Sequence, residues 1–304
     1  MDKRVCFDFE VEFSNGGGIQ GQGFRLDIDG DDISDAALGA SIVRDLRLLM
    51  VGSVRILNKR VIEERHKRAG QARALAGIGA RFIDLSHTIE DGMVTYKGLP
   101  APLICDHLSR QQSRKLYAPG VEFQIGRIDM VANTGTYIDT PFHRYADGFD
   151  LACLKLETIT DVPAVVVRVQ GIDGRAIDWT HFAATEVGGR AVLVNTGWDR
   201  HWRTDRYFEG HPFLTGKAAV WLRDQGARLV GIDSLNIDDI ADGTRPVHSV
   251  LLAAQIPIVE HLTGLDALPV EGFRFSAIPP KITGMGTFPV RAHARLADAS
   301  ERTE

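Results

Sequence analysis

The sequence predicts a mixed α/β protein preceded by a small α+β section. Beyond Phe82, short Val-rich apolar runs alternate with an amphipathic helical segment. Before it, apolar and polar residues alternate one by one, the period of a strand with one buried face. The 304 residues are 44% hydrophobic and 25% charged, the balance of a folded globular chain and not of a disordered or fibrous one.

Phe7, Phe9, Val11 and Phe13 form the first alternating run, and Phe24-Arg25-Leu26-Asp27-Ile28 repeats it after a Gly-rich turn, which predicts a β-hairpin. From Ser34, an N-cap residue type, Leu38, Ile42, Leu46, Leu49 and Met50 recur at helical spacing and predict a helix ending near Gly52. Val54, Ile56 and Val61-Ile62 then predict a further strand or extended arm. The basic, Ala-rich stretch from Arg65 to Arg81 reads as a linker or surface helix. Residues 162–169, 191–194 and 229–233 read as buried strands, and Lys217 to Gln225 as a helix before the last of them. The expected division is an N-terminal appendage over 1–78, suited to oligomerisation, and a main domain over 79–304.

Lys and Arg total 35 against 40 Asp and Glu, a net charge of −5, so no general attraction to nucleic acid or anionic lipid is expected. Cys6, Cys105 and Cys153 are widely spaced and odd in number, giving neither a disulfide framework nor a Cys-rich zinc motif. No apolar stretch reaches the roughly 20 residues of a membrane helix, and the first residues lack the apolar core of a signal peptide. The expectation is a cytoplasmic protein acting on a small molecule, with no membrane or nucleic-acid partner.

Two motif matches fail on context. Gly16-x-Gly18-x-x-Gly21 has the letters of a dinucleotide fingerprint, but a strand-like run follows where a helix N-terminus is required. Asp27-x-Asp29-x-Asp31 opens like a calcium loop, yet Asp32 stands where Gly is needed and Leu38 where the bidentate Glu belongs.

The chemically dense segment is Asn133-Thr134-Gly135-Thr136-Tyr137-Ile138-Asp139-Thr140-Pro141-Phe142-His143. If it is extended, Asn133, Gly135, Tyr137 and Asp139 share one face, with His143 close behind the Pro bend. Such residues equally populate an ordinary edge strand or turn.

On these residues the chain resembles the cyclase superfamily of metal-dependent amidohydrolases, which includes bacterial kynurenine formamidase and isatin hydrolase. The family's H-x-G-T-H-x-D-x-P-x-H signature is met at Gly135, Thr136, Asp139, Pro141 and His143. The likeness covers about residues 82–296, from Asp84-Leu85-Ser86-His87 through Asn195-Thr196-Gly197-Trp198, Tyr207, His211-Pro212, Gly231-Ile232-Asp233, His248 and Ile258-Val259-Glu260 to Pro289-Val290-Arg291. It implies a swivelling β/β/α domain that assembles as a homo-oligomer. It also implies metal ligation by Asp139, His248 and Glu260 and proton transfer by His143; without metal, Asp139 or Glu260 is the candidate base and Tyr137, a phenol protonated at neutral pH, the candidate donor to an oxyanion, with Asn133, Thr136, Trp198, Tyr207 and His211 as the expected substrate-binding residues.

The signature's first two histidines, both metal ligands in the family, are Asn133 and Tyr137 here. An amide and a protonated phenol are poorer donors than imidazole to Zn or Mn, so at most one weakly held divalent ion is expected. The resemblance thus implies a hydrolase or cyclase acting on a small amide, lactam or related carbonyl compound. A catalytically silent binding protein and a lyase or isomerase using the same acid–base groups are the alternatives.

About 75 N-terminal residues could hardly cover the stripe Ile42, Leu46 and Leu49 alone. Deleting residues 1–70 is therefore expected to lower the oligomeric state or the solubility; unchanged mass by light scattering, with unchanged melting, would contradict this.

Overall fold

The computed structural model describes residues 3–28, 32–45, 48, 50–63 and 81–296, and the chain divides into two compact units, Met1–Gly79 and Ala80–Glu304. In the first unit β1 (Lys3–Phe13) lies between β2 (Gly18–Asp27) and β3 (Val51–Glu63), antiparallel to both. Val5, Phe7, Phe9 and Val11 bury one face of β1 against Leu38 and Ile42 of the helix Asp35–Asp45. The Gly16–Gly18 segment is the hairpin turn, with Gly16 and Gly17 at φ of 91° and 83°.

The described helix covers Asp35–Asp45, and Leu48 and Met50 are no longer helical, so it ends short of the expected Gly52. Val51, Val54 and Ile56 instead enter β3, where β-branched residues pack on the pleat, and Gly52 is a strand residue. Leu46 and Leu49 lie outside the described residues, as does the proposed linker apart from Arg81, which opens β4.

The second unit is built on a nine-stranded mixed sheet. Its chain begins with β4 (Arg81–Asp84), the separate hairpin β5 (Leu103–Leu108) and β6 (Ile125–Asp129), and β7 (Tyr137–Asp139). It continues through β8 (Val162–Arg168), β9 (Ala176–Ile177), β10 (Ala191–Asn195), β11 (Phe213–Leu214) and β12 (Leu229–Ile232). Last come β13 (Ile258–Glu260), β14 (Phe273–Ser276), β15 (Thr287–Pro289) and β16 (His293–Leu296). The sheet order is β15-β7-β13-β12-β10-β8-β14-β16-β4.

Strands β13, β12, β10 and β8 run parallel at the centre, as their continuous apolar sequences require. Val165, Val167, Val192, Val194, Val230 and Ile232 meet the helices Gly216–Asp224 and Pro246–Ala253 on one face. Ala164, Val166, Ala191, Leu193, Leu229 and Val259 pack with Phe273 and Phe275 in a second core. Both faces are therefore covered. No helix of the described residues is long and apolar enough to cross a membrane.

Asp233 pins the carboxyl end of the central strands. Its buried carboxylate accepts from Asn195 Nδ2 at 3.0 Å, Thr196 N at 2.8 Å, Thr196 Oγ1 at 2.5 Å and Gly197 N at 2.9 Å. Asp233→Ala strands all four donors and should cost at least about 4 kcal/mol, since each buried polar group left unpaired costs about 1–3 kcal/mol. Denaturant unfolding measures it; a loss below about 1 kcal/mol would show that these donors find other partners.

Candidate functional site

The site forms where three short strands meet at one side of the sheet. Strand β7 pairs antiparallel with β13, setting Tyr137 opposite Glu260 and Asp139 opposite Ile258, and with β15, setting Thr287 opposite Asp139. Only Tyr137–Asp139 of the expected extended segment is strand. Residues 133–136 form bends, and Gly135 has a φ of 67°, so a one-face alternation beginning at Asn133 does not occur. A Cβ at Gly135 would also meet Ile89 Cγ1 at 2.9 Å.

Tyr137 and Asp139 nonetheless share a face, while Ile138 enters the core behind them. The tight turn Pro141–His143 then brings His143 back beside Asp139, with Nδ1 3.8 Å from Asp139 Oδ1. Gly286 permits that approach, because a Cβ there would fall 2.2 Å from the His143 backbone nitrogen.

Thr287 connects the two side chains. Its hydroxyl donates to Asp139 Oδ1, so the 2.8 Å contact with His143 Nδ1 is completed by a ring N–H donating to Thr287 Oγ1. That leaves His143 Nε2 available for proton exchange.

His248 comes from the helix Pro246–Ala253, and Asp238 both starts that helix and aims the ring. The Asp238 carboxylate accepts from Val247 N at 2.7 Å and His248 N at 3.1 Å, supplying the cap that Arg245 does not provide. It also lies 2.6 Å from His248 Nδ1, which turns Nε2 toward Asp139 Oδ2 at 3.7 Å and Glu260 Oε1 at 3.8 Å.

Glu260 is fully engaged from below. Tyr137 Oη donates to Oε2 at 2.5 Å, Ile237 N to Oε1 at 2.7 Å, and Asn236 Nδ2 to Oε2 at 3.4 Å. Both Glu260 and His248 are buried, so they are not a surface pair.

Burial works against ionised His248, but the Asp139 carboxylate 3.7 Å away, the hydrogen bond to Asp238 and the Glu260 charge outweigh it and raise its pKa to about 10. Burial, with the Asp139 charge, lifts Glu260 to about 7 against the pull of His248 and Tyr137. Burial also acts to raise Asp139, yet His143, His248 and Thr287 together hold it below its ordinary value. Burial and the charges of Glu260 and Asp139 push Tyr137 well above the usual phenol range, so it stays a donor.

A cavity of about 260 Å³ opens over these groups. Tyr137, His143, His248 and Glu260 line it together with Asn133, Asn236, Tyr96, Leu99, Arg144 and Arg245. Of the residues expected to bind substrate, Asn133 therefore faces the cavity, whereas Thr136, Trp198, Tyr207 and His211 do not line it. Thr136 Oγ1 donates to His261 O at 2.5 Å, and Trp198 Nε1 to Tyr207 O at 3.0 Å. Tyr207 Oη meets His261 Nδ1 at 2.8 Å, and His211 Nε2 meets Asp238 O at 3.1 Å. All four side chains are buried.

Burial and the nearby His87 lower the pKa of His261 to about 3. His87 itself is lowered to about 4 by burial and stacks on Trp202 with ring centroids 3.9 Å apart. Both rings are neutral near pH 7.

Asp139, His143 and His248 each offer a donor atom within 4.8 Å of the others. Glu260 is not in that group, although its Oε1 reaches toward the same His248 nitrogen. Asp139 Oδ2 is buried without a hydrogen-bond partner and faces a ring nitrogen whose opposite side is already bonded to Asp238. A carboxylate, an oriented imidazole and a second carboxylate suit one divalent ion, and the Asp238 contact is the support that metal-ligating histidines use.

Asp238, Thr287 and Asn236 were not singled out from the sequence. Asp238 precedes His248 by ten residues and acts as a cap from a distance, so no local spacing marks it. Thr287 is tied to the site through strand register alone.

This mixed sheet, with buried carboxylates and histidines gathered where β7, β13 and β15 meet, defines a cyclase-type α/β domain. The family model described as "Putative cyclase" matches residues 83–239, about half of the chain, and the chain belongs to that family. Among its relatives is the kynurenine formamidase of Bacillus cytotoxicus, 27% identical over 217 residues that cover 71% of this chain and 98% of the relative. A solved structure titled as a potential metal-dependent hydrolase with cyclase activity is 26% identical, with a TM-score of 0.60 over 72% of this chain and 99% of its own. Isatin hydrolase A from Labrenzia aggregata, bound to benzyl benzoate, shares the fold at 20% identity, with a TM-score of 0.62 over 77% and 100% of the two chains.

Proposed function

We propose that this protein hydrolyses a small amide, lactam or related carbonyl compound, using at most one weakly held divalent ion. The observation that carries the reading is that Asp139 Oδ2 and Glu260 Oε1 both approach the oriented Nε2 of His248, and that His248, Glu260 and His143 line the cavity. Relatives described as kynurenine formamidase and as a metal-dependent hydrolase support the same reaction class. We read the domain as the swivelling β/β/α arrangement of its family and the N-terminal unit as an appendage for homo-oligomer assembly; the mixed sheet and the separate N-terminal core support this.

Asp139, His248 and Glu260 would hold the ion, which when bound polarises a carbonyl and lowers the pKa of water. His143 carries the proton. Its Nδ1–H is fixed by Thr287, so Nε2 can take a proton from water and pass it to the departing nitrogen. Asp139 orients that relay through the Thr287 hydroxyl. Tyr137 Oη keeps Glu260 in place, and Asn133 supplies an amide to a polar substrate group at the cavity wall.

His143→Ala should reduce turnover about 10²–10⁴-fold in a screen of small amides and lactams, the usual worth of positioned proton transfer. Retained activity would remove His143 from the mechanism, and no turnover by the unmodified protein in any member of that screen would favour a binding protein.

The ligand assignment has its own test by titration with Zn²⁺ and Mn²⁺. Glu260→Gln should weaken binding and Asn133→His with Tyr137→His should strengthen it, by restoring imidazole donors. Weakening by His143→Ala and not by Glu260→Gln would instead make His143 the third ligand.

A further inference from the structure

Two arginines line the cavity with no carboxylate in an ion pair with either among the described residues, and the proposed mechanism uses neither. Arg144 follows the proton-carrying His143 and is exposed; Arg245 is half-buried and directly precedes the helix that supplies His248. Arg144 reaches that helix, whereas the Arg245 guanidinium turns to the segment that holds Asn236 and Asp239. Arg144 Nε contacts Ser249 Oγ at 3.4 Å, and the adjacent Tyr145 Oη donates to Ser249 O at 2.8 Å.

Arg245 has a φ of 49°, a backbone conformation that a side chain other than glycine seldom adopts. The conformation is held because Asp238 binds the next two backbone N–H groups, at Val247 and His248. The cap that aims His248 thus also sets the position of Arg245.

The hydrogen-bond acceptors around these guanidinium groups are few, neutral and distant, although Arg144 also lies over the Tyr145 ring at 5.3 Å and the Asp242 carboxylate feels the charge of Arg245. Arg245 Nη1 reaches Asn236 Oδ1 and Asp239 O at 3.4 Å each. The Asp239 carboxylate pairs with Arg175 at 3.6 Å, and the Asp242 carboxylate accepts from Thr244 N and Oγ1. Among the described residues no ion pair joins Arg144 or Arg245 to an acid. Two cations beside an open cavity, held by weak neutral contacts, keep most of their donor capacity for a ligand.

We propose that Arg144 and Arg245 bind the carboxylate of the substrate, so that the enzyme acts on small carbonyl compounds carrying an acid group. This rests on the hydrolase reading and adds the substrate's charge to it. Tyr96 and Leu99 give the same cavity an aromatic and an apolar wall, which fits a hydrophobic body between the acid and the reacting carbonyl. A monoanion suits the site better than a phosphate dianion, because Asp139 and Glu260 line or underlie the cavity and repel the second charge.

Benzoate, benzamide and phenyl phosphate serve as probes, titrated calorimetrically into the full chain and into Arg144→Gln, Arg245→Gln and Arg245→Lys. Benzoate should bind at least about tenfold more tightly than benzamide, in line with a charge-assisted contact. Each Gln variant should lose that preference, and Arg245→Lys should keep part of it. Arg144 is exposed, so Arg144→Gln keeps the test valid if the Arg245 variants melt early. Absent benzoate binding, equal affinity for benzamide, a preference that survives both Gln changes, or tighter binding of phenyl phosphate would overturn the proposal. Binding of benzoate needs no turnover: an inactive protein with the preference overturns the hydrolase reading alone, and an active one without it overturns only the acid-group assignment.

Discussion

Three acidic side chains, Asp139, Asp238 and Glu260, are buried around the ring of His248, and the site is arranged to balance that charge. Removing carboxylates from water is costly unless protons, cations or hydrogen-bond donors compensate. Asp238 is satisfied by two backbone N–H groups and the His248 ring, and Glu260 by a phenol, a backbone N–H and an amide. Asp139 receives the Thr287 hydroxyl on one oxygen and nothing on the other. That remaining oxygen is where a proton on His248 or a divalent ion completes the balance.

The two departures from the family signature change how this balance is met. A histidine at 137 would offer a ring nitrogen, whereas Tyr137 offers an O–H whose pKa rises with burial and neighbouring charge. It therefore neutralises Glu260 by donation and contributes no lone pair to an ion. Behind it the neutral pair His261 and Tyr207 adds no charge to the site. The chain thus gathers buried carboxylates around His248 with His143 beside them, the arrangement on which the proposed hydrolysis rests.

The central strands were legible because β8, β10 and β12 are short apolar runs covered on both faces, a pattern that few other environments accept. The hairpin of β1 and β2 was legible from its alternation for the complementary reason. The helix end was misplaced because Leu46, Leu49 and Met50 continue its spacing while the β-branched residues after them are claimed by β3. Within the site, Asp139, His143, His248 and Glu260 could be named from the resemblance, but their supports could not. Thr287 reaches Asp139 across 148 positions of sequence through strand register, and Arg245 gains its place from a cap supplied by Asp238. Trp198, Tyr207 and His211 could likewise be named from the resemblance, yet they are buried and do not line the cavity.

Metal content is the decisive measurement for the proposed site, because two buried carboxylates and one imidazole would hold a single divalent ion only weakly. Elemental analysis of the full chain purified without chelator, followed by dialysis, should find no more than one equivalent of divalent metal, released readily. Two tightly retained equivalents per chain would contradict it.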